Sequence, residues 1–119
     1  MTTNGQQYRA TGREFLARAR TYLADEDLLQ ASEKGWGAAA QMVKAAAAAR
    51  GWRHQSHRDL HVAINRLVEE TGDRELGNEF GLANALHMNF YEGWLPYESV
   101  DSHLAEVAKL VEKLDALHM

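Results

Sequence analysis

The chain has no cysteine, a single proline and only a modest share of aromatic residues, 8%. Without cysteine there is neither a disulfide framework nor a thiolate metal site, and a reducing, cytoplasmic setting is expected. With proline confined to position 96, almost nothing interrupts long helices. Long apolar runs are missing as well. The alanine run from Ala45 to Ala49 is closed by Lys44 and Arg50, and Met1 to Gln7 has no basic-then-apolar leader pattern, so no membrane association is expected. There is no glycine-rich phosphate loop and no Ser-His-Asp order. Net charge is −4, which excludes a protein that coats duplex nucleic acid, because that affinity comes from neutralising many phosphates. A small basic site is still compatible with that balance.

What is present is helical periodicity within a length that supports one core. The 119 residues suit a single domain, and 45% hydrophobic with 25% charged residues is ordinary globular composition. After an N-terminal arm at 1–6, expected to be disordered, the remainder, 7–119, reads as one helical domain. The spacing of Tyr8, Phe15, Ala19, Tyr22 and Leu23 predicts a first helix over 7–23. Asp27 can cap a second over 27–50, which closes at Gly51 with Trp52 folding back. Ser56 can cap a third over 57–71, ended by Gly72, and Asp73 can cap a fourth that stops at Gly93-Trp94. Beyond Pro96, a last helix from Glu98 or Ser99 carries the stripe Leu104, Val107, Leu110, Val111, Leu114. No segment alternates with a period of two. Short connections then predict an all-α fold, an antiparallel up-and-down bundle of about five helices.

Three segments carry chemistry. On the second helix Glu33, Gly37, Ala40 and Lys44 share one stripe, so two charged ends flank a shallow groove of small residues. The groove serves either close helix packing or the edge of a pocket, and Trp36 beside it reads as core. Around the turn into the third helix lies a cationic cluster, Arg50, Arg53, His54, His57, Arg58 and His61, relieved only by Asp59. Together with Ser56 and the helix N-terminus it is where an anion would bind, unless it is simply a solvated junction. His57 and His61 have the spacing of two metal-sharing imidazoles. However, Arg58 stands where a zinc-peptidase helix needs its Glu, and no metal or cofactor is expected. On the fourth helix Asn84, His87 and Tyr91 form a polar ridge with Glu92 at its end; His87 is the candidate acid/base.

The ordered set Ala31-Ser32-Glu33-Lys34-Gly35-Trp36-Gly37-Ala38-Ala39, Val43-Lys44, Ser56-His57-Arg58 and Leu86-His87-Met88-Asn89-Phe90-Tyr91-Glu92 resembles the archaeal PaREP-type proteins, a branch similar to the HEPN superfamily. The resemblance spans roughly Tyr22 to Glu92. It implies an HEPN-like bundle that homodimerises and binds a nucleotide or RNA segment, with Asn89 added to the ligand-binding set of Glu33, Lys44, His57, Arg58, Asn84, Tyr91 and Glu92. Relatives of that kind include metal-independent ribonuclease toxins neutralised by a nucleotidyltransferase partner, in toxin-antitoxin pairs, and members that only dimerise. Active HEPN nucleases place an Arg a turn or two before the His of a late helix. Here Phe80, Gly81 and Leu82 occupy the matching places before His87. Arg50 precedes His57 at a similar separation, but Gly51 and Trp52 interrupt the helix between them. The resemblance therefore carries over His87 and no catalytic Arg.

Overall fold

The structure is a computed structural model in which residues 4–118 are described. The described residues form five helices, α1 (Asn4–Ala24), α2 (Leu28–Arg50), α3 (His57–Thr71), α4 (Glu75–Glu92) and α5 (Tyr97–Ala116). The all-α bundle expected from periodicity is what forms. Helix ends follow local chemistry closely. Asp27 caps α2 by accepting from the Gln30 N–H, and Ser56 and Asp59 make a reciprocal capping box on α3. Asp73, expected to cap α4, stands one residue before the N-cap position, which Arg74 takes without a side-chain cap, and accepts the Glu75 N–H at 3.0 Å from there. Gly51, Gly72 and Gly93 all take left-handed φ values of 67° to 76°, a region closed to most side chains, and so end α2, α3 and α4.

Two boundaries differ from expectation. Helix α1 starts at Asn4, so residues 4–6 of the expected arm are helical, and residues 1–3 lie outside the described set. Its first turns are held by the Tyr8 ring edge-on to His54 and by Arg9 beside Asp115. Helix α5 starts at Tyr97, directly after Pro96, because proline's fixed φ suits the edge of a helix.

Helix α2 is the centre and touches each of the other four. Its small residues are the reason. Ala38, Ala39, Ala45, Ala46 and Ala47 are fully buried, and Gly35 lies so close to α4 and α5 that an added Cβ would stand 2.5 Å from Leu104 Cδ2 and 2.9 Å from Leu86 Cδ1. The groove expected beside Gly37 is filled. A Cβ there would sit 2.9 Å from the Phe15 ring, so that part of the stripe packs α1 against α2 and leaves no opening.

The pairing of Phe15 with Gly37 and of Gly12 with Met42 makes α1 and α2 antiparallel, and Lys113 on Glu79, together with Leu104 and Leu86 meeting at Gly35, does the same for α4 and α5. The pair α2 and α3 departs from simple alternation. His57 lies against Trp36, whereas Glu70 meets Arg50, so both helices advance in the same sense. The connector 51–56 makes this possible: six extended residues reach about 20 Å, close to the 21 Å or so of helix from Trp36 to Arg50. It doubles back along α2 before α3 begins. No described helix is long and apolar enough to cross a membrane.

Candidate functional site

Because the connector returns to the middle of α2, the first turn of α3 arrives beside Trp36 and the late turns of α4. Trp36 is the hub, buried at 5% exposure, with ring centroids 5.1 Å from His57, 5.0 Å from His87 and 5.4 Å from Phe80. His57 and His87 are themselves 5.0 Å apart, edge to face. His61 stands edge-on to Phe80 at 4.9 Å, and Tyr91 edge-on to His87 at 5.4 Å. Such geometry places ring edges on ring faces and fixes imidazoles without hydrogen bonds.

Glu33 reaches into this cluster from α2. Its Oε1 lies 3.5 Å from His87 Nδ1, an ion-pair separation too long for a firm hydrogen bond. His87 Nδ1 and Glu33 Oε2 are both shielded from solvent and have no hydrogen-bond partner. Two unpartnered polar atoms side by side are costly, since each gives up solvation without replacement. The remaining atoms of both side chains reach the surface, with 19% of His87 and 32% of Glu33 exposed.

The residues expected from sequence separate into three groups. Glu33, His57, His87 and Tyr91 converge; Tyr91, 73% exposed, offers an open ring face at the rim. Asn84 lies half-buried one turn before His87, and Glu92 is exposed at the end of α4. Lys44 is eleven residues beyond Glu33 on α2, about 16 Å along the axis, and so is not part of the cluster. A shared stripe guarantees a common face, not a common place along it.

Asn89 corrects an expectation. It is 1% exposed, its Nδ2 donates to Ser32 Oγ at 3.0 Å, and its Oδ1 accepts the Leu95 N–H at 2.8 Å. Ser32 in turn donates to the Leu28 carbonyl. The amide ties the α4 to α5 turn to α2 and has no free end for a ligand. Trp94, beside that turn, is 61% exposed, whereas Trp52 packs against the core.

The cationic cluster expected at the α3 junction is divided by the fold. His57 and His61 face α4, His54 faces Tyr8, and Arg50 forms a two-bond fork with Glu70 at 2.8 and 2.6 Å. That fork holds the Glu70 carboxyl below its ordinary value of 4.5. Arg53 and Arg58 face the opposite flank of α3, where Arg66 joins them. Sequence reading missed Arg66, although Arg58, Val62 and Arg66 recur every four residues and so mark one helix face. It also missed Glu79, buried at 2% under Lys113, because nothing local links residues on α4 and α5 that are this far apart in the chain. Several cavities open away from the Trp36 hub, two of them beside the α3 junction or the end of α2. One of about 600 Å³ lies between the start of α1 and the end of α2, and one of about 370 Å³ lies at the three arginines.

Comparison with known proteins agrees with this architecture. The family model of the archaeal PaREP1/PaREP8 family matches residues 7–111. The crystal structure of a protein from Sulfolobus solfataricus superposes with a TM-score of 0.77 at 22% identity, covering 98% of this chain and 97% of that one, which shows a shared fold. No curated protein matches the chain.

Proposed function

This chain belongs to the archaeal PaREP1/PaREP8 family, and from that premise we propose that it is an HEPN-like, homodimeric module that binds a nucleotide or a short RNA segment at the Glu33, His57, His87, Tyr91 cluster. The observation that carries this reading is the Glu33 to His87 contact, with an unpartnered, shielded atom on each side. An exposed aromatic face at Tyr91 suits an unstacked base, and imidazoles beside it suit a phosphate or a ribose hydroxyl. Support for the dimer comes from apolar side chains left exposed at that end of the bundle, Leu29, Met88, Tyr91 and Trp94.

A second reading is favoured by the two imidazoles 5.0 Å apart. In a metal-independent ribonuclease one imidazole takes the proton of a 2′-hydroxyl as its oxygen attacks the adjacent phosphorus. The other gives a proton to the departing 5′-oxygen, leaving a cyclic phosphate. An arginine from a second copy would be required to stabilise the phosphate charge, and a toxin of this kind would need a neutralising partner such as a nucleotidyltransferase.

Fluorescence anisotropy with a labelled single-stranded oligoribonucleotide tests the proposal. Tyr91→Ala is expected to weaken binding by about tenfold or more, as removal of one stacking ring does. Glu33→Gln and His87→Gln are each expected to weaken it while circular dichroism stays unchanged. Wild-type affinity in all three variants sinks the site. No RNA or nucleotide binding by an intact dimer leaves a protein that only dimerises. Cleavage in EDTA that is lost in both His57→Gln and His87→Gln selects the ribonuclease reading.

A further inference from the structure

The arginines of this chain fall into two classes. Arg9 and Arg13 pair with Asp115, Arg18 with Glu14, Arg20 with Asp101 and Arg50 with Glu70. Arg53, Arg58, Arg66 and Arg74 form no ion pair among the described residues, and the first three of them line the same cavity of about 370 Å³, between the connector 51–56 and the outer flank of α3. The one carboxylate there, Asp59, is already engaged: its Oδ2 accepts the Gln55 and Ser56 N–H groups at 3.0 and 3.1 Å. Trp52 forms a wall, with the Arg66 guanidinium 5.0 Å from its ring centroid, and Val62 and Ala63 add apolar surface.

Three like charges gathered around the single carboxylate of Asp59, which attracts Arg53, leave an excess of positive charge at the cavity. We propose that this cavity is a phosphate site, separate from the His87 cluster, which takes the phosphomonoester dianion of a mononucleotide or of the 5′ end of an RNA strand. The chemistry favours phosphate over carboxylate. Each guanidinium presents its donors as a rigid planar fork, and a carboxylate with only about four lone-pair sites cannot accept forks from three directions. A tetrahedral anion with several charged oxygens can. The Trp52 and Val62 side of the cavity then has room for the sugar or base that follows.

Isothermal titration of inorganic phosphate, AMP and adenosine into the whole chain at low salt tests the site. Phosphate and AMP are expected to bind and adenosine is not. Arg58→Gln, which removes a side chain with no fold-stabilising partner, and Arg66→Gln should each weaken AMP at least about tenfold, as loss of a charged fork does. Arg66→Lys should recover only part of the loss, because it restores charge without the fork. Arg66→Gln should leave the affinity for a 5′-hydroxyl oligoribonucleotide, read at the Tyr91 cluster, unchanged, so this site can fail while the RNA site stands, and the reverse. Tighter binding of a 5′-phosphorylated than of a 5′-hydroxyl oligoribonucleotide identifies the RNA end as the source; equal binding, with AMP still bound, identifies the free nucleotide. Absence of phosphate and AMP binding at millimolar concentration, equal binding of adenosine, or undiminished AMP binding in both Arg→Gln variants overturns the proposal.

Discussion

Asn89 and His87 are two residues apart on one helix and have opposite fates. His87 faces α3 and is partly exposed, with its shielded Nδ1 lacking a partner. Asn89 faces α2, where both ends of its amide are bonded. The difference is rotation: two residues turn a helix through about 200°, which takes a side chain from one flank to the other. Replacing Asn89 by Ala strips the Leu95 N–H of its acceptor and Ser32 of its donor. A loss of about 1–3 kcal/mol in urea unfolding is expected, with ligand binding at Tyr91 retained. A variant of wild-type stability would show that the buried amide is not what holds the turn.

Among helices, glycine has two meanings that only packing separates. Gly81 on α4 has open space where a Cβ would go, so Gly81→Ala should stabilise by ~0.5–1 kcal/mol through helix propensity alone. Gly35 on α2 has the reverse surroundings, because Leu86 of α4 and Leu104 of α5 occupy the space a Cβ would need. Gly35→Ala should cost about 1–3 kcal/mol from overpacking. Thermal melts of the two variants are therefore expected to move in opposite directions. A shift of the same sign in both would contradict the close approach at Gly35.

For the molecule as a whole, the charged groups with displaced pKa values set a pH profile. Burial first, then the nearby charges of Arg9 and Arg50, hold His118 below its ordinary 6.5. The unfolded chain thus binds that proton more readily, and the contribution of neutral His118 is complete above pH 6.5 and fades as pH falls through the lower folded value. Asp59 is held below 3.8 by the Ser56 and Gln55 N–H bonds, and Glu70 below 4.5 by Arg50. Their contributions persist above those ordinary values and are lost on further acidification. Lys113 is raised above 10.5, first by its bond to Glu79, so its share is lost only as pH rises past that value. Urea midpoints are expected to form a plateau between about pH 6.5 and 10.5. They should decline in two steps on the acid side, and His118→Gln should erase the earlier step.

How far the amino acids alone reach follows from the range of the forces involved. Helix ends at Asp27, Ser56, Gly51, Gly72 and Gly93 and the apolar stripe of α5 were legible because caps and side-chain periodicity depend on neighbours three or four residues away. Family membership and the candidacy of His87, Glu33 and Tyr91 came from the same local order. Their meeting with His57 did not, because it depends on where the connector 51–56 delivers α3. That return path divides the basic junction into imidazoles on one flank and arginines on the other. It also leaves Lys44 a long way down its own helix, and Asn89, on another flank of α4, serves the core. Local bonding specifies each helix, but which faces meet is settled by burial of the small-residue surface of α2 against all four neighbours at once.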